Sequence, residues 1–281
     1  MYRSGCSSVV YGPHENQRVT SGSLASSSSA GASSGTGGRS VRLGPCSAML
    51  ALLYDIHGNL PALEAVLDDA QDRDVRAWLL GGDMAPFGAW PAETVSRLRE
   101  LPDATWIRGN TERWLIDPIP SEEPMAAAVH ACREALGDEL ADELGDLPES
   151  ARIDGDTVAW HGSPVSDMRS FAPEPGDDEA ELLTGVTDRR LVFGHTHLQF
   201  RRTSQGPDGP VELLNPGSVG IPLDGDHRAA WALIAPDGSI ELRRVAYDHA
   251  ASAAALRERY GDAEWVEIVT GRIERARLKA D

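Results

Sequence analysis

The sequence predicts an α/β fold in which two packed β-sheets are flanked by helices. From Met49 onward, apolar strands alternate with amphipathic helices in the order βαβαβ, which is typical of a sheet with parallel strands. From about residue 157 the pattern changes to short strands separated by turns. The composition, with 41% hydrophobic and 25% charged residues in a chain of 281, is that of a globular protein with one large domain or two small ones.

Residues 1–48 differ in composition and are predicted to form a disordered tail. They contain 13 Ser and 8 Gly, including the run "SLASSSSAGASSGTGG", and show no hydrophobic period. Such a segment cannot bury enough apolar surface to offset the entropy lost on ordering. It also lacks the continuous apolar core of a signal peptide. Because Met49 stands directly before the first predicted strand, either Met49 is the true start or the tail is a real low-complexity segment.

The first half of the folded region alternates strands and helices. Residues 59–72 are predicted to be an amphipathic helix because Leu60, Leu63, Val66 and Leu67 fall on one face. The other predicted elements of this half are strands at 48–54, 77–83 and 104–110 and a helix at 92–101.

The second half is richer in strands. Residues 124–144 are predicted to be mostly helical, and the charged residues 250–281 are predicted to form a C-terminal helical extension. Between them lie six short predicted strands, in "TVAWHGSP", "RLVFGHTH", "LQFRRT", "VELLNPGSVG", "RAAWALIA" and "SIELRRVA". We therefore assign the folded domain to residues 49–249.

Charge and cysteine content argue against several classes of function. A net charge of -18 disfavours nonspecific binding to nucleic acid or to an anionic membrane, and no apolar run approaches the roughly 20 residues that span a bilayer. A phosphate substrate would then need a local positive group, such as a metal ion. Cys6 and Cys46 lie in the tail, so Cys132 alone cannot support a disulfide framework or a cysteine zinc site. We expect a reducing, cytoplasmic location.

Each strong predicted strand ends in a residue that can bind a metal. Because the C-terminal ends of parallel strands converge on one crevice, we expect these side chains to meet at one sheet edge. Carboxylate, amide oxygen and imidazole groups suit divalent Mn, Fe, Zn, Ni or Co. Seven ligands exceed the needs of one tetrahedral zinc and suit two ions about 3.5 to 4 Å apart. The seven candidates are Asp55, His57, Asp83, Asn110, His161, His195 and His197.

Taken singly, most of these motifs have an ordinary explanation. "DIHG" contains common turn residues, and a Gly-Asp pair or "HGSP" at a strand end says little. "GHTH" is more specific, because two imidazoles two residues apart rarely serve packing. The order Asp-x-His, Gly-Asp, Gly-Asn, His-Gly and Gly-His-x-His, each after an apolar strand, favours a metal site over unrelated turns.

These motifs resemble those of the calcineurin-like metallophosphoesterases, and in particular their compact bacterial and archaeal phosphodiesterase branch. The similar stretches, between about residues 50 and 222, are "YDIHGNLPALEAVL", "LLGGD", "IRGNTE", "WHGSP", "VFGHTH" and "NPGSVGIP". The resemblance implies a four-layer αββα sandwich and makes residues 49–249 a metallophosphoesterase domain. It implies a dinuclear site in which Asp83 bridges a first metal on Asp55, His57 and His197 and a second metal on Asn110, His161 and His195.

The resemblance also implies how such a site would act. A hydroxide that bridges two divalent ions, with Mn the best choice in vitro, would attack phosphorus in line. Both metals and the Asn110 amide would stabilise the phosphoryl oxygens. The expected catalytic residues are therefore Asp83, Asn110 and His161.

One position departs from the family pattern. The family usually reads Gly-Asn-His-Asp at the third motif, where the His is thought to protonate the leaving oxygen or bind phosphate, but this chain reads "GNTE". The Thr111 hydroxyl does not titrate near neutral pH and is a poor general acid. Either the leaving group needs little protonation, or water or another residue donates the proton, or activity is weak. We expect the first, which fits phosphodiesters or pyrophosphates.

Four residues are weaker candidates for substrate contacts. Arg108 would either contact a phosphate or only pair with acids. Asn215 and Ser218, in "NPGSVG", would either line the pocket or only serve a turn. Thr111 is the fourth candidate, by its place in the third motif.

The sequence therefore favours one function over two others. The favoured one is metal-dependent hydrolysis of a small phosphate ester, either a phosphodiester or a nucleotide polyphosphate. A phosphoprotein or phosphomonoester phosphatase fits less well, because the motif His is absent and the surface is acidic. A noncatalytic metal-binding scaffold would be expected to lose ligands, whereas all seven are present. The C-terminal helices leave a homodimer open.

We expect Met49 to be the first residue of the native protein, because the tail before it carries no pattern of a folded element. Mass spectrometry of the protein from its native source checks this. A peptide that spans Ser47 to Leu50 would contradict it.

Overall fold

The computed structural model describes residues 40–42, 49–117 and 124–278. Its strands are β1 (Ser40–Arg42), β2 (Met49–Leu53), β3 (Val75–Leu80), β4 (Ala104–Trp106), β5 (Ser150–Arg152), β6 (Thr157–Trp160), β7 (Arg190–Val192), β8 (Phe200–Gly206), β9 (Gly209–Asn215), β10 (Ala229–Ile234) and β11 (Ile240–Val245). Its helices are α1 (Leu60–Gln71), α2 (Pro91–Arg99), α3 (Asn110–Ile116), α4 (Met125–Leu136), α5 (Asp138–Gly145), α6 (Glu179–Leu182), α7 (His249–Tyr260) and α8 (Glu264–Arg275).

The strands form two mixed sheets. The first sheet has the order β11-β10-β2-β3-β4, in which β2, β3 and β4 are parallel and β10 and β11 are antiparallel additions at one side. The second has the order β1-β5-β6-β7-β9-β8, in which β6, β7 and β9 are parallel. The βαβαβ start therefore builds the parallel part of one sheet, and the strand-rich half builds most of the other.

The alternation of side chains along β2 shows how the layers stack. Ala51 and Leu53 point to one face and pack with residues of α1, α2, α7 and α8, including Leu63, Val95 and Leu256. Leu50 and Leu52 point to the other face and share a cluster with Ala159, Val192 and Leu214 of the second sheet. The two sheets therefore pack face to face with helices on the outer side of the first. The predicted α/β sandwich is confirmed.

Several details differ from the sequence-based expectations. The third strand ends at Trp106, and Asn110 begins α3, where a strand end was predicted. The helical stretch at 124–144 is broken at Gly137, whose φ of 77° is a conformation that glycine adopts without strain. The short elements β5 and α6 were not predicted, because three or four residues carry no readable period.

The predicted disordered tail needs a correction at residues 40–42. These residues form β1 and pair in parallel with β5 at the edge of the second sheet. Main-chain hydrogen bonds at an open sheet edge can order a short segment that has no hydrophobic pattern. The prediction for residues 1–39 and 43–48 falls outside the described part of the chain. Within that part, no helix combines the length and apolar character needed to cross a bilayer.

Two loops at the C-terminal edge of the first sheet pack with almost no space between them. Gly220 N donates to Asp55 O, and a Cβ built on Gly220 would lie 1.9 Å from the backbone oxygen of Ile56. The loop before α1 and the loop after β9 therefore approach each other at a position where only glycine fits.

We expect Gly220→Ala to lower the free energy of unfolding by more than about 2 kcal/mol, because the added methyl group meets backbone that cannot rotate away. The matched control is Gly155→Ala, since a Cβ there has nothing within 4 Å. Urea denaturation of both variants checks the difference. Equal free energies of unfolding for the two variants would contradict the close packing of Gly220 against the backbone of Ile56.

Candidate metal centre

The structure brings all seven predicted ligands to one place, but not to one sheet edge. Asp55 and His57 follow β2, Asp83 follows β3, and Asn110 follows β4 in the first sheet. The remaining three, His161, His195 and His197, follow β6 and β7 of the second sheet. The prediction of a single sheet edge is therefore wrong. The centre lies where the C-terminal edges of two packed sheets meet, because both sheets direct their parallel strands the same way.

The backbone of this region is held in an unusual conformation. Five of the seven ligand candidates have positive φ, which is uncommon for residues with a side chain and costs of the order of 1 kcal/mol or more each. Hydrogen bonds between loops hold the strained turns, as in His57 N to Asp83 O at 2.8 Å and Asp55 N to Gly82 O at 3.1 Å. The φ values are 53° at Asp55, 51° at His57, 56° at Asp83, 68° at His195 and 60° at His197.

Three imidazole rings are oriented by backbone carbonyl groups on the far side of each ring. The Nδ1 atoms of His57, His161 and His197 lie 3.0, 2.9 and 2.6 Å from the oxygens of Pro86, Gly81 and Ile221. A carbonyl oxygen only accepts, so each Nδ1 carries the proton and donates. Each Nε2 is then left with a free lone pair that faces the centre, which is the arrangement of metal-binding histidines.

The donor atoms are spaced as ligands of shared ions would be. The Nε2 atoms of His57 and His197 are 3.2 Å apart, and Asn110 Oδ1 lies 3.1 Å from His161 Nε2 and 2.9 Å from His195 Nδ1. Atoms that bind one ion at about 2.1 Å lie about 3 to 4 Å from one another. Lone pairs that face each other at such distances repel unless a cation lies between them.

Asp55 connects two acid–imidazole groups. Asp55, His57 and His197 form one group, and Asp55, Asp83 and His161 form the other, with the donor atoms of each group within 4.8 Å of one another. Within the described residues, Asp55 Oδ1 is buried without a hydrogen-bond partner, 3.5 Å from His197 Nε2 and 3.9 Å from His161 Nε2. An orphaned carboxylate oxygen between imidazoles fits a metal ligand.

Asp83 is placed between the two groups, as a bridging ligand would be. Its Oδ2 lies 3.8 Å from His57 Nε2, and its Oδ1 lies 3.5 Å from His161 Nε2. One carboxylate therefore reaches both sides of the centre. Asp55, which occurs in both groups, is a second acid shared between them.

Burial sets the electrostatics of the centre. It raises the pKa of the Asp55 carboxyl well above its usual value, with Asp83 as a further cause, and it raises the pKa of Asp83 to about 6. Burial also lowers the pKa of His195 to about 4 and of His197 to about 3. The imidazoles are thus neutral and cannot balance the acids. The donor set fits a bound divalent cation, which would supply the missing positive charge.

Thr111 and Glu112 hold the acidic ligand in position. Thr111 is fully buried, and its backbone N and its Oγ1 both donate to Asp83 Oδ1, at 3.0 and 2.9 Å. Glu112 is also fully buried and accepts from the backbone N atoms of Asp83, Met84 and Gly109. The sequence predicts no role for Glu112, because nothing in the pattern shows which loops a buried acid will connect.

The four weaker substrate candidates are all engaged within the protein. Thr111 and the fully buried Asn215 and Ser218 do not face solvent. Asn215 donates to Gly194 O and to Thr196 Oγ1, and Ser218 donates to Asp55 O at 2.7 Å. These contacts support the ligand loops, as the turn alternative expects, and substrate contact by these residues stays a prediction. Arg108 pairs with Glu149, which is the acid-pairing alternative.

The ligands lie in a segment with a known family pattern. Residues 49–237 match the model of the calcineurin-like phosphoesterase superfamily domain. The chain belongs to the calcineurin-like phosphoesterase superfamily. Enzymes of this superfamily are metal-dependent hydrolases that act on phosphoester bonds. The Asp and His groups described above are therefore the expected ligands of its metal ions.

Relatives and solved structures agree with this assignment. The chain is 30% identical over 221 residues to the uncharacterized protein MJ0912 of Methanocaldococcus jannaschii, which covers 71% of this chain and 88% of the relative. The crystal structure of a metallophosphoesterase from Sphaerobacter thermophilus matches with a TM-score of 0.67 and 28% identity, over 82% of this chain and 99% of that one. The protein PH1004 of Pyrococcus horikoshii shares the fold, with a TM-score of 0.66, 20% identity and coverage of 79% and 97%.

We expect Thr111→Val to weaken Mn²⁺ binding by about tenfold, because Asp83 loses the hydroxyl that fixes its carboxylate. The matched control is Thr94→Val. Thr94 is equally buried, and its Oγ1 has no partner among the described residues, so its loss should leave Mn²⁺ affinity unchanged. Titration calorimetry of the metal-free proteins measures both affinities. Equal affinities for the two variants would contradict the positioning role.

Proposed function

We propose that this chain hydrolyses phosphodiesters or nucleotide polyphosphates with two divalent metal ions at the centre. The observation that carries the proposal is the pair of acid–imidazole groups joined by Asp55, with Asp83 reaching both. Asp55, His57 and His197 would hold one ion, Asn110, His161 and His195 the other, and Asp83 both. We take Mn, Fe, Zn, Ni or Co as the candidate ions, with Mn the first choice in vitro.

When bound, two such ions would activate a water molecule and neutralise the phosphoryl oxygens. The protein's own residues supply orientation. Backbone carbonyl groups fix the three imidazoles, so that their lone pairs need no reorganisation when ions and substrate bind. Asn110 directs its Oδ1 toward His161 and His195, which leaves its Nδ2 as the donor to a phosphoryl oxygen in the transition state.

The position of Thr111 supports a substrate with a good leaving group. Its hydroxyl is buried and donates to Asp83, and a hydroxyl held in this way is not a proton donor for a leaving oxygen. Substrates whose leaving group departs without strong proton donation are then favoured. Phosphodiesters and nucleotide polyphosphates fit this requirement better than alkyl phosphomonoesters, and small molecules reach the buried ligands more easily than a folded phosphoprotein.

We expect the Mn²⁺-loaded protein to cleave bis(p-nitrophenyl) phosphate, and Asp83→Asn to lower kcat/KM by at least about a hundredfold, since the shared carboxylate is lost. Release of p-nitrophenolate measures the rate. The matched control is Asp103→Asn, which makes the same change at an exposed residue with a similar φ of 50° and should keep full activity.

Two outcomes would contradict parts of the proposal. A folded wild-type protein that binds Mn²⁺ but cleaves no phosphate ester would be a scaffold and not an enzyme. Cleavage of p-nitrophenyl phosphate much faster than of the diester would contradict the preference for diesters. A set of nucleotide substrates assayed with the same Mn²⁺-loaded protein then separates nucleotide polyphosphates from simple diesters.

A further inference from the structure

Arg272 belongs to the C-terminal extension and lies on the helix whose end is hydrogen-bonded to a loop of the metal centre. It is part of the last turn of α8, beyond residues 49–237 that match the family domain. The helix packs on the first sheet through Trp265, Val266 and Val269, which share the core cluster of α1 and α2. The extension is thus built into the same core, and its last turn is held in a defined place.

A chain of hydrogen bonds connects the end of α8 to a metal ligand. His197 Nδ1 donates to Ile221 O at 2.6 Å, and Leu223 N lies 3.4 Å from His197 O. Two residues further on, Gly225 N donates to Ala276 O at 2.9 Å, directly after the helix. The loop that orients His197 therefore also anchors the last turn of α8.

No acid in the described part of the chain pairs with the guanidinium of Arg272. Within the described residues, its side chain forms no ion pair or hydrogen bond, and its Nε atom is buried. This is unusual in a chain with 44 acidic and 26 basic residues. Arg257 of α7, by contrast, pairs with both Glu267 and Glu274. A partly buried arginine without a partner loses hydrogen bonds to water that no protein group replaces. This costs free energy unless a ligand accepts hydrogen bonds from the guanidinium.

The electrostatics agree with this placement. Burial is the main cause of the lowered pKa of His57 and of His197, and the charge of Arg272 is a smaller one; burial also lowers the pKa of Arg272 itself. The favourable effect of a cation at a helix C-terminus does not explain this placement. Arg275 supplies that effect from the same turn while exposed to solvent.

We propose that Arg272 binds a phosphate oxygen of the substrate on the His57–His197 side of the centre. The proposal rests on the proposed function, because it takes the phosphate to be bound at that centre. A guanidinium presents paired N–H donors that match two phosphate oxygens. It is the local positive group that an acidic protein needs in addition to metal ions, and it is supplied by a helix outside the matched family domain.

The test compares three variants in the Mn²⁺-loaded full chain: Arg272→Gln, Arg272→Lys and the control Arg275→Gln, which removes the same charge from an exposed position of the same turn. Titration calorimetry with inorganic phosphate gives the dissociation constant, and bis(p-nitrophenyl) phosphate gives KM and kcat. We expect Arg272→Gln to raise the phosphate dissociation constant and KM by about tenfold or more, with a smaller change in kcat. Arg272→Lys should fall between wild type and Arg272→Gln, and Arg275→Gln should match the wild type.

The outcomes separate this proposal from the proposed function. An active wild type whose phosphate affinity and KM are unchanged in a folded Arg272→Gln variant would overturn the role of Arg272 alone. Equal effects of Arg272→Gln and Arg275→Gln would also overturn it, because they would show a general charge effect. A wild type that cleaves no ester contradicts the proposed function, and phosphate calorimetry then still decides whether Arg272 binds phosphate. Should Arg272→Gln fail to fold, as shown by circular dichroism, Arg272→Lys provides the comparison.

Discussion

The buried carboxylates of Asp55 and Asp83 are the constraint on which the rest of the centre depends. They lie side by side at the ends of two neighbouring parallel strands, and burial raises the pKa of both. The surrounding imidazoles are neutral, so they do not supply positive charge to the carboxylates. Their lone pairs also point to the centre and attract a cation. Donors from Thr111, from Ser218 and from the backbone of His195 steady these two loops, but each contributes a dipole and not a charge. A bound divalent cation would balance such a set.

The same constraint explains why the backbone is strained where the ligands lie. In an extended strand Asp55 and His57 would share a face but lie about 7 Å apart, so bringing both to one ion requires a sharp change in φ. The positive φ values at the strand ends provide that change, and close packing against Gly82, Gly88 and Gly220 leaves the turns no room to relax. The sheets thus serve as rigid supports, and the energy that holds the ligands comes from the sheet core and not from the ligands themselves.

Sequence reasoning predicted the candidate ligands because strand ends and metal-binding residue types are local features. Asp55, Asp83 and His161 each follow an apolar run that is readable in the chain. It assigned the ligands to one sheet, because periodicity does not show that β6 and β7 join a second sheet. It left open whether Asn215 and Ser218 line the pocket or serve a turn, because the sequence does not show whether a polar residue in a motif faces substrate or a neighbouring loop. Glu112 acts through contacts with the distant Asp83 and Met84, and the position of Arg272 depends on how α8 packs; neither leaves a pattern in a single chain.

The acidity of the whole chain and the binding of a phosphate are compatible because charge acts over short distances. At physiological salt, exposed charges are screened beyond about 8 Å, so acids on distant faces have little effect at the centre. What a phosphate meets there is set by buried groups, for which screening is weak. Two divalent ions would outweigh the two carboxylates of Asp55 and Asp83, and Arg272, with no acid to neutralise it within the described residues, adds a further positive charge. A metal centre held by acids therefore becomes a site for an anion only when ions are bound, which couples substrate binding to metal loading.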